Sequence, residues 1–475
     1  MESLTLRSPE SRTKQGRGDV AAQARGKIGP EANRLQAQDR VVHDWYRFVL
    51  SFPPHLVRDY VRKFEIGPGA CVLDPFCGTG TTLVECRKLG LNCTGIEANP
   101  IAHFASHVKL DWQVGPGTLR SRAESVAEAV LAQLDADGVP DSCDPLFDRK
   151  PHVVRLMMLN LRESQLLLEN SISPRPAHKA LRLREELSTQ FGKRLQDHAR
   201  LALAKTLVFS ASNLRFGPEV GVGKPKEDAS VVRPWLDNMR SMADDLRVLR
   251  DNPRTSTAVH AADSREVGGL FPAESFDAVI TSPPYPNEKD YSRTTRLESV
   301  FLGFVRSKED LRALKRTLIR SNTRGVYKAD SDDSHVAEHS EIQRIAAEIE
   351  GRRIELGKTS GFERLYARVT MLYFGGMSRH LADLRPLLRP GALLAYVVGD
   401  QASYLQIMIR TGQLLASIAD SLGYEVVGLE LFRSRFATAT GEMLREEVVV
   451  LRWPGYKKKG ARRNREHVGD SKLKS

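Results

Sequence analysis

The stretch VLDPFCGTGTT at residues 72–82 constrains the fold of this chain more than any other feature. Apolar β-formers lead into Asp74, a turn with two glycines follows, and TTLVECRKLG then has the pattern of a helix that ends at Gly90. Glycines let the backbone approach a ligand closely, and a helix N-terminus presents free amide groups to that ligand. The stretch therefore predicts a strand, turn and helix of an α/β sheet that binds a nucleotide-like molecule.

Glu97 indicates the chemical nature of one part of that ligand. It ends the next predicted strand, NCTGIE, and follows Gly78 by 19 residues. An acidic side chain about 20 residues after a glycine turn typically receives ribose hydroxyls, so a nucleoside with free hydroxyls is the expected ligand. Leu83 stands where a dinucleotide-binding loop has its third glycine, and no lysine follows Gly80 as a P-loop requires.

Six short β-rich runs, bounded by Gly, Pro, Asp or Asn, indicate strands. These runs are ACVLDP, NCTGIE, FDAVITSP, ALLAYVVGD, YEVVGLELF and EEVVVLRW. Helix-like segments follow several of them, which predicts a mostly parallel sheet covered by helices on both faces. Only RSRFATATGEML separates the last two runs, too short a connection for a helical crossover, so we expect these two strands to pair antiparallel.

The rest of the chain divides by composition. Residues 1–40, with few large apolar side chains, predict a disordered basic arm, and 454–475 predict a basic tail. Apolar residues at helical spacing occupy much of 116–254, in LRSRAESVAEAVLAQLDA, VVRLMMLNLRESQLLLE, KALRLREELSTQFGKRLQDHARLALAKTLVFSAS and PWLDNMRSMADDLRVLRD. We interpret this region as a helical insertion into the sheet domain, and expect a second helical stretch at 305–388.

Charge and composition indicate the class of partner. The 475 residues have a formal net charge of +12 and an isoelectric point near 9.5, which favours a polyanionic partner. No apolar run is long enough for a membrane span or a signal-peptide core, so we expect a cytoplasmic, nucleoid-associated protein with no membrane partner. The five cysteines lack C-x-x-C spacing and histidines at ligand distance, so neither a metal site nor a disulfide framework is expected.

A second signal is FDAVITSPPYPNEKDYS at residues 276–292. Its two prolines end a strand at the edge where an open α/β sheet binds its ligand, and Tyr285 places an aromatic ring at that edge. Upstream, HDWYRFVLSFPPHLV at 43–57 is interpreted as an aromatic, proline-stiffened lid over the ligand. Trp45 and Tyr46 are equally compatible with packing the first helix on the sheet.

These segments resemble sequence motifs of the DNA amino-methyltransferases, which modify cytosine N4 or adenine N6, and the resemblance covers about 41–115 and 255–453. The D-P-F-x-G-x-G-T-T pattern of motif I is matched at 74–82, the [DNS]-P-P-[YFW] pattern of motif IV at 282–285, and 43–57 looks like motif X. The resemblance implies a Rossmann-like class I methyltransferase fold with a mostly parallel seven-stranded sheet, a C-terminal antiparallel hairpin and helical insertions. It also implies S-adenosyl-L-methionine as cofactor, double-stranded DNA as partner, and an association with cognate restriction or defence proteins.

Site residues follow from the same resemblance. The implied cofactor-binding residues are Phe52, Pro53, Asp74, Pro75, Phe76, Gly78, Gly80, Thr81, Thr82, Glu97 and Asp263. The implied catalytic residues are Ser282, Pro283, Pro284 and Tyr285. In the family, Asp74 and the glycine loop hold the methionine moiety and Glu97 holds the ribose. Asp263 is assigned to the adenine, with a surface turn as its alternative reading.

The chemistry explains these residue types. An exocyclic amine of a base is a poor nucleophile because its lone pair is delocalised into the ring, so its N–H groups need hydrogen-bond acceptors. Ser282 and the carbonyl of Pro283 can accept those bonds, and Tyr285 can stack on a base that has been flipped out of the duplex. Methylation at cytosine carbon 5 instead needs a nucleophilic cysteine after a proline, and none of the five cysteines follows one. Cys77 is interpreted as a small filler in the glycine loop.

The substrate remains open between several readings. Serine at 282 favours cytosine N4, because that variant is commoner among the cytosine-N4 enzymes of the family, and adenine N6 is the first alternative. Some tRNA guanosine-N2 methyltransferases share the D-P-F-C-G-T-G pattern, and a non-catalytic nucleic-acid-binding protein is a further alternative. Candidate DNA contacts lie in SNLRFGPEVGVGKPKEDASVVRPW, in LIRSNTRGVYK, and at Tyr291, Arg293 and Arg296.

Overall fold

The computed structural model describes residues 35–47, 52–141, 155–190, 192–217, 219–287, 289–437 and 441–456. The strands of this part are β1 (Cys71–Asp74), β2 (Asn92–Ile96), β3 (Leu214–Phe216), β4 (Val220–Val222), β5 (Thr257–His260), β6 (Phe276–Thr281), β7 (Leu388–Gly399), β8 (Glu425–Ala437) and β9 (Glu442–Arg452). Its helices are α1 (Pro54–Lys63), α2 (Thr81–Lys88), α3 (Pro100–Lys109), α4 (Pro116–Ala136), α5 (Leu161–Ser164), α6 (Pro174–Gln190), α7 (Lys193–Thr206), α8 (Val232–Val248), α9 (Tyr291–Thr294), α10 (Arg296–Phe301), α11 (Lys308–Thr317), α12 (Ser340–Glu355), α13 (Tyr366–Leu384) and α14 (Thr411–Ser421).

Seven of the strands form one sheet in the order β5-β2-β1-β6-β7-β9-β8. The first five of that order run parallel, and β9 pairs antiparallel with both β7 and β8. This confirms the predicted Rossmann-like fold, with its mostly parallel seven-stranded sheet and C-terminal antiparallel hairpin. The chain steps from β1 to β2 on one side and returns at β6 on the other, so a crevice opens at the carboxyl ends of β1 and β6.

The sheet is covered on both faces because its parallel strands are apolar on both sides. Val72 and Leu73 are adjacent in β1 and both are fully buried, but they belong to different hydrophobic clusters. Val72 packs with residues of α1–α4 and α6–α8, whereas Leu73 packs with residues of α12, α13 and α14. The strand therefore holds its carboxyl end, and the glycine turn after it, between two helical layers.

The helical region between β2 and β5 shares the first of these clusters. Fully buried side chains of α4, α7 and α8, such as Val130, Leu201 and Trp235, belong to the same cluster as Val72 and Ile280 of the sheet. The short antiparallel hairpin of β3 and β4 was not expected within this region. The helices here therefore complete one face of the sheet.

The helix predicted over VVRLMMLNLRESQLLLE is wrong within its described residues, 155–169. Residues 155–160 have no regular structure and only the single turn of α5 forms, starting where the Asn160 side chain accepts a hydrogen bond from the Glu163 amide. Met158 and Leu161 are 74% and 75% exposed, so the apolar residues of this run do not share one buried helical face.

The chain ends lie partly outside the described residues. Of the predicted arm, 1–34 lies outside them, as does 457–475 of the predicted tail. Residues 35–40 are described, and there Asp39 is buried in a short 3-10 turn and forms an ion pair with Arg58 at 2.9 Å. Among the described helices none has the length and apolar character needed to cross a membrane.

Candidate active site

A cavity of about 720 Å³ opens at the carboxyl edge of the sheet. This volume suits a cofactor or substrate site. The glycine turn contributes Phe76, Gly78 and Thr81 to its wall, and the loop after β6 contributes Ser282, Pro283, Pro284 and Tyr285. The two loops singled out in the sequence are therefore brought together at one site by the crossover between β1 and β6.

The glycine turn leaves open space in front of its backbone. Gly78 and Gly80 have φ angles of 52° and 83°, in the left-handed region that favours glycine. A Cβ atom on Gly78 would meet nothing within 4 Å, whereas one on Gly80 would lie 3.1 Å from the Ser106 hydroxyl. From behind the turn, the buried Lys109 ammonium donates to the Thr79 carbonyl at 3.0 Å. Gly78 thus faces the cavity, and Gly80 packs the turn onto α3.

Glu97 lies against the same turn. The amide of Gly78 donates to its Oε2 atom at 2.8 Å, and the amide of Asn99 donates to its Oε1 atom at 2.7 Å. Burial raises the pKa of Glu97 to about 7, although these backbone hydrogen bonds lower it. The carboxyl group that lines the cavity beside the glycine turn therefore titrates near neutral pH.

Some of the predicted cofactor residues lie behind the cavity wall. Pro53, Asp74, Pro75, Gly80 and Thr82 do not line the cavity. The Oδ1 atom of Asp74 accepts from the Thr281 hydroxyl at 2.6 Å, and the Thr82 hydroxyl donates to the Ile280 carbonyl at 3.2 Å. Burial raises the pKa of Asp74 to about 6, and its Oδ2 atom is buried with no hydrogen-bond partner among the described residues. In this structure these side chains join the glycine turn to β6.

The segment upstream of α1 is fastened to the body by polar side chains. Phe52 lines the cavity, and Pro53 lies at the N-terminus of α1. The Trp45 indole donates to Asp245 of α8 at 2.8 Å, and the Tyr46 hydroxyl donates to Glu298 of α10. Residues 48–51 of the predicted lid lie outside the described residues.

Asp263 lines the cavity three residues after β5 ends. Its carboxylate accepts from the backbone amide of Arg265 at 2.9 Å and from the Arg265 Nε atom at 3.0 Å. The same guanidinium also pairs with Asp332, so Arg265 holds Asp263 in place from behind.

Ser282 is oriented by the neighbouring strand. Its hydroxyl donates to the Val397 carbonyl of β7 at 3.2 Å. Because the hydrogen is used in that bond, the oxygen can act toward other groups only as an acceptor, and the Tyr285 side chain is in hydrogen-bond contact with it. The Tyr285 ring packs at Gly399, where an added Cβ would lie 3.1 Å from its Cε2 atom. Burial and, next, the Glu446 charge raise the pKa of Tyr285, so its hydroxyl stays neutral.

Comparison with known proteins gives the family. Residues 28–105 match the sequence model of a DNA methylase family whose label names the N6 and N4 methyltransferases. The Type II methyltransferase M.BsoBI of Geobacillus stearothermophilus is 23% identical over 90% of this chain and 86% of its own length. These matches support the N4/N6 DNA methyltransferase family for this chain.

Two further relatives agree. The Type II methyltransferase M.AvaI of Anabaena variabilis is 21% identical over 83% of this methyltransferase and 81% of its own length. M.MjaII of Methanocaldococcus jannaschii is 39% identical over 14% of this chain and 13% of its own. Among solved structures, TrmN from Thermus thermophilus matches at 12% identity over 84% of this chain and about half of that one, with a TM-score of 0.24. At that score the fold assignment rests on the strand order alone.

The sequence analysis missed several residues that line this cavity. Gln401 and Ser403 line it directly after β7 ends, and the carboxyl-end rule for open sheets was the signal that would have found them. Phe432, Arg433 and Arg435 reach it from the β8–β9 hairpin, and nothing in their local sequence indicates this. Phe432, Arg433 and Arg435 lie on β8, which is an edge strand of the sheet.

The candidate DNA contacts fall into two groups. Tyr291 lines the cavity, as do six residues of LIRSNTRGVYK: Leu318, Ile319, Arg320, Ser321, Asn322 and Gly325. Arg293 and Arg296 do not line it, and Arg296 donates to the carbonyls of Ser292 and Leu166. Of SNLRFGPEVGVGKPKEDASVVRPW, only Glu219 reaches the cavity among the described residues.

Proposed function

We propose that this DNA methyltransferase transfers a methyl group from S-adenosyl-L-methionine to the exocyclic N4 amine of cytosine in double-stranded DNA. The single observation that carries the proposal is the orientation of Ser282 on the wall of the cavity that it shares with the glycine turn. A hydroxyl whose hydrogen is already donated to Val397 presents an acceptor to the cavity. Serine at this position is also the variant that favours cytosine N4 over adenine N6.

The residues around the glycine turn fit the cofactor that the family implies. The open space before Gly78 allows a ligand to approach the turn, and Glu97 presents a carboxyl group for the ribose hydroxyls. Asp263 and Phe52 line the same cavity for the adenine and for the lid contact. When bound, S-adenosyl-L-methionine supplies an electrophilic methyl group on a sulfonium. Asp74 acts from behind by holding the turn on β6.

The loop after β6 binds and orients the target base. The Ser282 hydroxyl oxygen and the Pro283 carbonyl accept hydrogen bonds from the two N–H groups of the amine. These bonds draw electron density onto the amine nitrogen. Tyr285 provides an aromatic face for the base that has left the stack. The reaction then depends on positioning the amine in line with the methyl group, and it needs no nucleophilic side chain. The proton released from the amine passes to solvent.

We extend the proposal to biological context. Its relatives M.BsoBI and M.AvaI are Type II methyltransferases, and we infer that this chain acts with a cognate restriction or defence protein, so that its methylation would protect host DNA at a specific site. The net charge of +12 suits a DNA partner. The helical region 116–254 is proposed to read the recognition sequence, because the cavity itself is occupied by the cofactor and one base.

Nucleoside analysis tests the function directly. The purified protein is incubated with isotopically labelled S-adenosyl-L-methionine and either duplex DNA of mixed sequence or tRNA, and digested nucleosides are identified by mass spectrometry. Labelled N4-methylcytosine from the duplex is expected, with the Ser282→Ala variant as the low-activity control. Labelled N6-methyladenine would replace the cytosine assignment with the adenine one. Label in tRNA alone, or in neither substrate, would overturn the proposal.

A further inference from the structure

The cations that line the cavity divide into paired and unpaired side chains. Five of them line it: Lys289, Lys315, Arg320, Arg433 and Arg435. Three form ion pairs, Lys315 with Asp290 at 2.9 Å, Arg320 with Asp330 at 2.8 Å and Arg433 with Glu446 at 2.6 Å. Within the described residues, Lys289 and Arg435 have no ion-pair partner and no side-chain hydrogen bond.

The two unpaired cations line the same cavity, and the charge of one acts on the other. Lys289 is half-buried, and burial and then the charge of Arg435 lower its pKa, against the opposite effect of Glu446. Two like charges that face one cavity repel each other, and Glu446, which offsets part of this for Lys289, is already paired with Arg433. Such a pair is stabilised by an anion that enters the cavity from solution.

Their position is on the Tyr285 side of the cavity. Gly399 touches both Tyr285 and Glu446, since an added Cβ would lie 3.1 Å from the first and 3.2 Å from the second. Arg435 stands on β8, whereas Glu97 follows β2, five strands away in the sheet order. The two cations therefore lie beside the proposed place of the target base and away from the proposed place of the cofactor ribose.

The strand that carries Arg435 extends past the sheet. The pairing of β7 with β9 ends at Gly399 and Glu446, but β8 and β9 continue to pair as far as Ala437 and Glu442. Because β8 is parallel to β7, this extension projects from the carboxyl edge, the edge at which a base must enter. Arg435 is exposed on it, at the rim of the cavity.

We propose that Lys289 and Arg435 together bind a backbone phosphate beside the target nucleotide while its base occupies the cavity. This inference rests on the proposed function. The base is neutral, but a nucleotide that swings out of the duplex carries its flanking phosphates with it, and they reach the rim when the base reaches Tyr285. Charge-assisted hydrogen bonds from an ammonium and a guanidinium then hold the extruded nucleotide. The α-carboxylate of the cofactor is the other anion with this chemistry.

Neutralising one DNA phosphate at a time distinguishes a backbone phosphate from the cofactor carboxylate as the bound anion. Duplexes that carry a single neutral methylphosphonate at successive positions around the target are compared with the unmodified duplex, using wild type, Arg435→Gln, Lys289→Gln and the control Arg352→Gln. Arg352 lies on α12 and does not line the cavity. The measurements are Kd for DNA, its dependence on salt, KM for S-adenosyl-L-methionine, and thermal melting to verify folding.

The methylphosphonate and the Arg435→Gln substitution are each expected to lower DNA affinity, and the two losses are not additive. One methylphosphonate position beside the target weakens wild-type binding about tenfold, and Arg435→Gln weakens binding to the unmodified duplex by a similar factor. The variant then shows no further loss on that methylphosphonate duplex, because the contact is already absent. The slope of log Kd against log salt falls by about one, and KM for S-adenosyl-L-methionine is unchanged. Lys289→Gln behaves in the same way, and Arg352→Gln matches wild type.

Two results would overturn the inference. The first is an equal methylphosphonate loss in wild type and in both variants. The second is a raised KM for S-adenosyl-L-methionine with unchanged DNA binding, which would assign the anion site to the cofactor carboxylate. Failure of the proposed function is distinct from both, since wild type itself would then transfer no methyl group to any duplex.

Discussion

The direction of one hydroxyl hydrogen governs what Ser282 can do. Its donation to Val397 leaves the oxygen as an acceptor, which is what a base amine requires. Ser282→Ala removes that acceptor and is expected to lower the rate of methyl transfer about 100-fold, by analogy with the loss of one positioned hydrogen bond at other catalytic centres. Single-turnover transfer to duplex DNA measures this rate, while Kd for DNA is expected to change little.

Ser282→Asn is the matched control, because its side-chain oxygen is again an acceptor and asparagine occurs at this motif position in the family. It is expected to retain more activity than Ser282→Ala. An alanine variant with the wild-type single-turnover rate would contradict the role assigned to Ser282.

Glu97 predicts a pH dependence of cofactor binding. Burial raises its pKa to about 7, so the carboxylate that we propose as the acceptor for ribose hydroxyls is lost as pH falls through 7. Kd for S-adenosyl-L-methionine is expected to be flat above pH 7 and to rise by up to about tenfold per unit below it. Calorimetric titration from pH 5.5 to 8.5 measures this. Glu97→Gln is expected to bind more weakly with a smaller slope, and equal slopes for both proteins would remove Glu97 from this role.

The contribution of Glu97 to folding stability changes with pH in the opposite direction to that of an ion-paired carboxylate. The folded-state pKa of Glu97 lies above its ordinary value of 4.5, so the folded protein binds the proton more tightly than the unfolded chain. This group therefore contributes most to stability below pH 4.5, and its contribution is lost as pH rises to about 7. Ionisation of this carboxyl group therefore lowers folding stability.

At the scale of elements, β2 and α2 pack so closely that only glycine fits between them. A Cβ atom on Gly95 would lie 2.5 Å from the Leu83 Cδ1 atom and 2.8 Å from the Cys77 sulfur. Gly95→Ala is expected to lower the free energy of unfolding by about 1–3 kcal/mol and to weaken cofactor binding, because Cys77 and the glycine turn must shift. Urea denaturation and cofactor titration measure the two effects.

Gly351 provides the control for that substitution. It lies inside α12, and an added Cβ would meet nothing within 4 Å. Gly351→Ala is expected to raise stability by about 0.5–1 kcal/mol, through the gain in helix propensity, with no effect on the cofactor. If Gly95→Ala were as stable and as active as Gly351→Ala, the close packing of β2 on α2 would be refuted.

At the scale of the whole molecule, the helices between β2 and β5 share their hydrophobic cluster with the sheet. We therefore expect one cooperative thermal transition, with equal calorimetric and van't Hoff enthalpies, instead of separate transitions for 116–254 and the sheet. Trp235→Phe tests this. Trp235 is fully buried and donates to the Ala199 carbonyl at 3.0 Å, so its loss is expected to move the whole transition down by a few degrees. A split into two transitions would show that 116–254 folds independently.

The sequence predicted the positions of most strands and some of the residues that line the cavity. Individual residues show why. The strand of FDAVIT and the turn around Gly78 have strong local signals, and both lie where expected. The run around Met158 has helical spacing but no partner surface, so its pattern was misleading. Arg435 carries no local signal at all, since only the pairing of β8 with β9 brings it to the cavity.

The amino-acid sequence by itself determined the strand, turn and helix around the proposed cofactor site, the loop that ends β6, and the family that both resemble. Glycine torsions, proline breaks and apolar runs act over a few residues, so they can be read locally. Only the tertiary structure decided which side chains behind the turn brace it, which cations in the cavity are paired, and that the helical region shares the core of the sheet. Those properties depend on contacts that the fold creates, some between distant residues such as Asp74 and Thr281 and some between residues of neighbouring elements such as Lys315 and Asp290, and no local pattern encodes them.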